Sequence, residues 1–384
     1  MAAKRIVEHH LVECLGIKYP IVLAPMFGGP TTPQLVAAVA NAGGLAMYGG
    51  GQTPKEGLRK ALRATKALVQ EPGANIGVNL FVPTGFNICR EKWTETQSTA
   101  VAEAARRQAA ALSDVSGSEP VAVPTPPSFE SLEATFVEQL DTLVEEEIRV
   151  ASFHFGWPQP KDVERLHAAG IYLIGNATSV AEAQTLEQMG ADAIIAQGLE
   201  AGGHRGTFIN ADQYSVCAMV GTLPLTRSIV EVVAVPVIAA GGIMDGADIV
   251  AALKAGASAA QLGTAFLTTA ECGAPSIHKK ALLQSGDVVP TLVTQAFTGK
   301  PARGLVNSWA RKMQDIEGQL PNCFNGMPAG RVLQSVAGEF ERADIMYMWA
   351  GREYSRCRPG MGAAELMVAL AHEVDIAAGT HMTH

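Results

Sequence analysis

The feature that most constrains the fold is a short apolar run that recurs eight times along the chain. Each run is almost continuously apolar rather than alternating, as in parallel strands that are buried on both faces of a sheet. A stretch with apolar residues at helical spacing follows each run. Eight strand–helix units predict a closed (βα)8 TIM barrel of the α/β class. The predicted strands are Ile21–Ala24, Leu45–Tyr48, Ile76–Leu80, Val150–Phe153, Ile171–Ile174, Ala193–Ala196, Val235–Ala239 and Ala260–Leu262.

The predicted helices between these strands carry recognisable start and stop signals. Several begin with Ser, Thr or Asp and end at a glycine such as Gly43 or Gly190, which are the residue types that cap helices. The order helix, Ala-Gly, strand repeats in NAGGLAMY, HAAGIYLI and KAGASAAQL, as expected for successive βαβ units. The helices are predicted at Thr32–Ala42, Pro54–Val69, Ser131–Glu146, Lys161–Ala169, Ser179–Met189, Ala211–Val220 and Asp245–Ala255.

The chain has 384 residues, which exceeds a barrel of about 250 residues. We place the barrel at residues 1–270 and a second region at 271–384, because strand signals fade after about Ala270. In that region HKKALLQ, WARKMQDIEGQLP, GRVLQSVAGEFERA and AAELMVALAHEVDIAA predict helices, and NCFNGMPAG predicts a loop. We therefore expect an appended C-terminal helical lobe that covers the substrate as a lid. This lobe can also pack back on the barrel.

Composition and charge exclude several classes of protein. A net charge of −8 and a pI near 5.6 argue against a nucleic-acid surface, which needs clustered Lys and Arg. Neither a signal peptide nor an apolar run long enough to span a membrane is apparent. The six cysteines are scattered without ligand spacing, which favours free thiols over a metal site or disulfides. We expect a cytoplasmic protein.

Two glycine turns late in the barrel predict an anion site. Gly241 and Gly242 end the seventh predicted strand, and Gly263 and Thr264 end the eighth. Backbone N–H groups at such turns bind phosphate, and the loops after strands 7 and 8 are the usual phosphate site of barrel enzymes. The alternative is that these glycines only make tight turns.

The ends of two earlier predicted strands carry residues that could contact a flat aromatic ring. Ala24, Pro25 and Met26 end the first strand, where Pro25 fixes the chain and Met26 offers a soft apolar surface. Asn79 is an amide at the end of an otherwise apolar strand, and it must find polar partners. A flavin edge would supply them, and capping of the core is the alternative.

The loop after the sixth strand carries the candidate base. Gln197, Glu200 and His204 stand among four glycines in IIAQGLEAGGHRGTF. A histidine with an ordinary pKa near 6.5 can take a proton at neutral pH, and the glycines allow a ligand to approach closely. The alternative is a loop histidine that is bonded to backbone.

At this point the sequence resembles a known family. LAPMFGG, GVNLF, SFHFGWP, GLEAGGHRG, AAGGI and QLGTAF occur in the order and spacing of the nitronate monooxygenases, over roughly residues 17–270. The segment MWAGREYSRCRPGMGAAELMVAL is similar more loosely, and EAGGH-x-G is the most specific motif. The resemblance implies FMN on a barrel, without a metal and without a required nicotinamide.

The resemblance also implies roles for individual residues. His204 would be the catalytic base, and His154 would pack beside the ring as support rather than as a chemical group. Ala24, Pro25, Met26 and Asn79 would hold the isoalloxazine, which Gln197 would line. The remaining implied cofactor contacts, at the phosphate end, the ribityl chain or the ring, are Asn176, Ala201, Gly202, Gly203, Gly241, Gly242, Gln261, Gly263 and Thr264.

The activity implied by the resemblance is oxidative denitrification of nitroalkanes or alkyl nitronates with O₂, giving a carbonyl compound and nitrite. Two alternatives stay open: an NAD(P)H-dependent FMN reductase of quinones or enoyl thioesters, and a non-catalytic protein that binds a flavin or a phosphate-bearing ligand and in which His204 is idle. The expected partners are the small substrate and O₂, with neither nucleic acid nor membrane, and a homo-oligomer is allowed for.

Overall fold

The computed structural model describes residues 11–70, 75–83, 94–116, 127–209, 219–284, 289–320 and 326–379, and it contains a closed barrel of eight parallel strands. The predicted (βα)8 class is therefore confirmed. Around the barrel the strands are, in order, β1 Ile21–Leu23, β2 Leu45–Gly51, β3 Ile76–Phe81, β4 Val150–His154, β5 Tyr172–Ala177, β6 Ala193–Gln197, β8 Val237–Ala240 and β9 Ala259–Leu262. The short strand β7, Gly203–His204, lies outside the barrel.

The barrel closes where β1 pairs in parallel with β9, with Val22 opposite Gln261. Successive strand residues point to opposite sides, so alternate apolar residues serve two cores. Val22 belongs to a cluster with side chains from the other strands, including Ile238, whereas Leu23 packs with residues of the surrounding helices. Burial on both sides explains why the strand sequences are almost continuously apolar.

The helices begin where the sequence places capping residues. The Thr32, Ser128, Ser179 and Asp245 side chains each accept a hydrogen bond from a backbone N–H three residues on. The helices are α1 Pro33–Asn41, α2 Lys55–Lys66, α3 Glu95–Ser116, α4 Phe129–Glu145, α5 Pro160–Ala168, α6 Val180–Gln188, α7 Thr222–Val230, α8 Gly246–Lys254, α9 Ser276–Gln284, α10 Ser308–Glu317, α11 Gly326–Glu339 and α12 Ala363–Ala378.

Two local predictions need correction. Most of the helix predicted at Ala211–Val220 lies outside the described residues, and the helix in this crossover is α7, which the sequence reading missed. The loop predicted for NCFNGMPAG is wrong from Gly326 onward, because α11 begins there. In both helices a proline, Pro224 or Pro328, lies in the first turn, where a missing N–H costs no helical hydrogen bond.

The C-terminal region is not purely helical, in contrast to the predicted lobe. Two short strands, β10 Thr291–Thr294 and β11 Ala302–Leu305, form an antiparallel pair. β11 also pairs with β7, the two residues Gly203–His204, in the loop that follows β6. Four-residue strands that depend on a partner so far away in the sequence have no local apolar pattern strong enough to reveal them.

The last helix, α12, packs against α8 and α1 on the outside of the barrel. The Glu373 carboxylate accepts from the Gly246 N–H at the start of α8, which ties the two helices together. The C-terminal region thus contributes a helix to the barrel's outer layer, and the domain boundary at residue 270 stays a prediction. None of the helices in the described parts of the chain is long and apolar enough to cross a membrane.

A buried carboxylate on α6 fixes the loop beyond His204. Glu182 is 1% exposed. Its carboxylate accepts from the Thr178 N–H and hydroxyl at 2.7 Å, from the Phe208 N–H at 2.8 Å and from the Ile209 N–H at 3.2 Å. The loops after β5 and β7 are therefore held by one side chain.

Replacing Glu182 by alanine should lower the free energy of unfolding by about 3 kcal/mol, because several buried N–H groups lose their acceptor. Denaturant unfolding at neutral pH measures the loss. Glu164→Ala, at an exposed position on α5, is the matched control and should change stability by less than about 0.5 kcal/mol. Equal stability of the two variants would contradict the anchoring role.

Candidate active site

A cavity of about 520 Å³ lies at the carboxyl ends of the barrel strands. This volume is within the range of about 300–1,000 Å³ that is usual for small-molecule sites. Every predicted site residue lines the cavity: Ala24, Pro25, Met26, Asn79, Asn176, Gln197, Ala201, Gly202, Gly203, His204, Gly241, Gly242, Gln261, Gly263 and Thr264. Residues from the C-terminal region complete the wall.

One end of the cavity is built from backbone. Gly202 packs so tightly on the 350–351 segment that a Cβ would lie 2.5 Å from the Ala350 carbonyl carbon. Gly203 has φ +72° with open space where a side chain would stand. The Thr264 hydroxyl accepts from the Gly351 N–H at 2.9 Å, which joins a third segment. The described lining residues include one cation, Arg331, and one carboxylate, Glu353, whose Cγ would lie 3.6 Å from a Cβ on Gly242. Apart from Arg331, an anion in the cavity would rely on N–H groups.

Asn79 faces the cavity and also bonds the neighbouring strand. Its Nδ2 donates to the Ser152 hydroxyl at 2.9 Å and to the Ser152 carbonyl at 3.2 Å. The amide thus finds partners on β4, as the core-capping alternative expects, and its contact with a flavin edge stays a prediction.

Gln197 and His154 hold the loop that carries His204. The Gln197 Nε2 donates to the His204 carbonyl at 2.9 Å, and its Oε1 accepts from the Gly206 N–H at 2.8 Å and from the Asn176 Nδ2 at 3.4 Å. The His154 Nε2 lies 3.2 Å from the same carbonyl of His204. Because a carbonyl only accepts, His154 carries its proton on Nε2. His154 thus supports the loop of His204, and its place beside a flavin ring stays a prediction.

The His204 ring is oriented by Thr298, which the sequence reading missed. The His204 Nε2 lies 2.8 Å from the Thr298 hydroxyl. That hydroxyl also lies 3.3 Å from the Lys300 carbonyl, to which it can donate. The same hydroxyl lies 3.4 Å from the Lys300 N–H, from which it can accept, so Thr298 can either accept from His204 Nε2–H or donate to an unprotonated Nε2. No local sequence signal marks Thr298, because it meets His204 only through the pairing of β7 with β11.

Both active-site histidines are neutral at physiological pH. Burial lowers the pKa of His204 to about 3, and nearby His154 and Lys300 add to the effect. Burial likewise lowers the pKa of His154 to about 3, against the opposing hydrogen bond to the His204 carbonyl. The neutral ring has a free lone pair, but burial also disfavours its protonated form, so proton transfer to His204 would depend on the negative charge that develops on the substrate beside it.

An aromatic wall from the C-terminal region faces the barrel. The Trp349 ring lies 5.5 Å from the His204 ring, and Tyr347 stacks on Trp349 at 5.2 Å with an interplanar angle of 16°. Phe155 contacts His204 from the barrel side, with ring centroids 5.8 Å apart. Aromatic side chains on both sides surround the histidine with apolar surface and limit its access to water.

Two buried polar atoms in the cavity wall have no partner among the described residues: Gln261 Oε1 and His278 Nε2. Buried polar atoms are normally satisfied, so each is expected to bond an ordered water or a bound ligand. Gln261 lies on β9 in the barrel, and His278 lies on α9 in the C-terminal region. Within the described part of the chain, no group of His, Cys, Asp and Glu is suited to hold a metal ion.

Comparison with known proteins adds independent information. The family model described as nitronate monooxygenase matches residues 8–373. A probable nitronate monooxygenase of Staphylococcus aureus (strain Newman) is 37% identical over 345 residues, which cover 90% of this chain and 91% of the relative.

Two solved structures are similar to this chain over most of its length. Nitroalkane oxidase from Streptomyces ansochromogenes is similar with a TM-score of 0.83 and 35% identity, over 96% of this chain and 99% of that one. FabK from Thermotoga maritima is similar with a TM-score of 0.69 and 26% identity, over 96% and 97% of the respective chains.

The burial of His278 predicts a pH-dependent stability. Burial lowers its pKa to about 4, whereas an unfolded histidine titrates near 6.5. As pH falls, the unfolded state binds this proton first, so the stabilisation is complete above about pH 6.5 and is lost towards pH 4. The loss amounts to at most about 1.4 kcal/mol per pH unit.

We expect His278→Phe to lose stability less steeply than the wild type between about pH 6 and pH 5. The two proteins should show parallel stabilities between about pH 7.5 and pH 8.5, where the histidine is neutral in both states. Denaturant unfolding over this series measures the difference in slope. Identical slopes below about pH 6 would contradict the neutral buried state of His278.

Proposed function

The chain belongs to the nitronate monooxygenase family and is an oxidoreductase, and from this premise we propose that it oxidises nitroalkanes or alkyl nitronates with O₂ through bound FMN. The products of this reaction are a carbonyl compound and nitrite. The observation that carries the proposal is a neutral histidine, His204, that shares one cavity with the backbone-lined anion site.

Several features of the cavity fit FMN. The turns at Gly203, Gly242 and Gly263 line one end, where N–H groups suit a phosphate without a cationic side chain. The orphan acceptor Gln261 Oε1 suits a donor such as a ribityl hydroxyl. The Met26 side chain and the Asn79 amide would contact the isoalloxazine ring. FMN when bound supplies the electron transfer between substrate and O₂, and the protein supplies binding, orientation and a base.

His204 would take the proton from the carbon α to the nitro group, or orient a substrate that arrives as the nitronate. We assign the proton of neutral His204 to Nε2, where it would donate to the Thr298 hydroxyl, so that the lone pair on Nδ1 would accept the substrate proton. Proton abstraction makes His204 cationic, and the Thr298 contact keeps the ring oriented through that change. Thr298 is thus a positioning residue for the base.

Enclosure of the site serves the same chemistry. Trp349 and Phe155 flank His204 and limit access of water to the reacting carbon. Gln197 and His154 hold the His204 carbonyl from two directions, so the ring is presented from a fixed backbone. A base that is held in place before the substrate arrives needs little reorganisation during proton transfer.

His204→Asn should lower kcat/KM for a neutral nitroalkane by about 10²–10⁴-fold, the usual contribution of a general base. The effect on the preformed nitronate should be much smaller, because that substrate has already lost its proton. Steady-state assays of nitroethane and of ethyl nitronate at neutral pH measure both values.

Bound flavin should be unchanged in this variant, since His204 is assigned to the base and not to cofactor binding. His372→Asn, at an exposed position on α12, is the matched control and should retain full activity. Wild-type activity of His204→Asn on nitroethane would remove His204 from the mechanism.

An anaerobic titration separates the proposal from an NAD(P)H-dependent FMN reductase. We expect an alkyl nitronate to bleach the flavin absorbance of the wild type, and NADH alone to leave it unchanged over the same time. Rapid bleaching by NADH, with none by the nitronate, would replace the monooxygenase proposal with the reductase. A purified protein that carries no flavin would favour a non-catalytic role.

A further inference from the structure

Glu353 is a carboxylate in the cavity wall, next to one of the glycine turns that we assign to the FMN phosphate. It is half-buried, directly precedes the short helical turn Tyr354–Arg356 and lines the cavity together with Gly242. A Cβ on Gly242 would lie 3.6 Å from the Glu353 Cγ, and the carboxylate is one bond further. A negative charge therefore lies close to the position that is proposed for an anion.

Three other carboxylates near this turn already have hydrogen-bond donors. The Glu200 carboxylate accepts from the Thr222 N–H at 2.8 Å and from the Thr222 hydroxyl at 2.7 Å. The Asp245 carboxylate accepts from the Asp248 N–H at 3.0 Å, and the Asp248 carboxylate accepts from the Met244 N–H at 2.9 Å. These three side chains hold the loops in place, which is a structural role.

Glu353 differs from them, because its carboxylate has no such partner. Arg356 pairs with both Asp245 and Asp248, and the exposed Arg352 does not line the cavity. Within the described part of the chain, neither a hydrogen bond nor an ion pair joins the Glu353 carboxylate to another residue. A phosphate at the neighbouring turn would therefore meet a negative charge that no described side chain neutralises.

The backbone and this carboxylate act on a bound phosphate in opposite directions. The N–H groups of the glycine turns attract the anion. A like charge several ångströms away repels it, and a phosphate monoester carries nearly two negative charges at pH 7. The ribityl chain of FMN is uncharged, so the repulsion acts on the phosphate.

We propose that Glu353 limits the affinity for FMN: its carboxylate repels the phosphate, so that bound FMN exchanges with free FMN more readily than the N–H groups alone would allow. The inference rests on the proposed function, from which it takes the cofactor and the place of the phosphate. It adds a residue of the C-terminal region that determines how tightly the cofactor is held.

The test compares FMN with riboflavin, which has the same ring and ribityl chain but no phosphate. Fluorescence titration of the flavin-free full-length chain gives the Kd of each flavin. In Glu353→Gln we expect the Kd of FMN to be about tenfold lower than in the wild type, and the Kd of riboflavin to change less than about twofold. Glu164→Gln, at an exposed position on α5, removes the same charge outside the cavity and should change neither Kd.

Two further measurements protect the test against misfolding. Glu353→Ala also removes the charge and should show the same selective gain for FMN. The rate at which FMN leaves the diluted holoenzyme should be lower for Glu353→Gln than for the wild type, and this comparison does not require removal of the cofactor. Because the carboxylate bonds no described residue, both variants should unfold at the same denaturant concentration as the wild type.

Unchanged or weaker binding of FMN in both variants would overturn the role of Glu353. An equal gain for FMN and riboflavin would also overturn it, because the effect would then come from the shape of the pocket and not from the phosphate. Failure of the proposed function has a different signature. A wild-type chain that binds neither flavin would reject the cofactor and with it the role of Glu353, whereas FMN binding that is independent of residue 353 would reject Glu353 alone.

Discussion

The site depends on the antiparallel pairing of β11 with β7, which places Ala302 opposite His204 and Arg303 opposite Gly203. This pairing joins the C-terminal region to the loop that carries the candidate base. The Arg205 N–H donates to the Pro301 carbonyl at 2.8 Å, and the Arg303 Nε donates to the Leu199 carbonyl at 2.9 Å, so the contact extends along the loop. Without it His204 would lose both Thr298 and the aromatic wall.

The local sequence predicts the barrel well and the C-terminal contribution poorly, for one physical reason. A buried parallel strand is apolar on both sides, so a strand such as Ile76–Phe81 can be recognised from its local sequence alone. Motif residues at the carboxyl ends of the strands then come together, because these ends lie at the same end of the barrel. Thr298 and His204 instead are 94 positions apart, and only the tertiary pairing brings them together. The buried Arg303 interrupts the apolar pattern of β11, so the local sequence does not indicate a strand there.

The chemistry of the cavity follows from its low polarity. Burial keeps His154 and His204 neutral, and the N–H groups of the glycine turns are suited to compensate an anion in place of lysines. Lys300 already lowers the pKa of His204. A phosphate bound by N–H groups would add no further cationic side chain beside the base.

We propose that one FMN binds in this cavity with its phosphate at the glycine turns. The most direct measurement is the quantity and mass of the flavin that is released when the purified protein is denatured. The account predicts one flavin per chain with the mass of the mononucleotide. Release of the dinucleotide FAD, or of no flavin from folded protein that has been offered FMN, would contradict it.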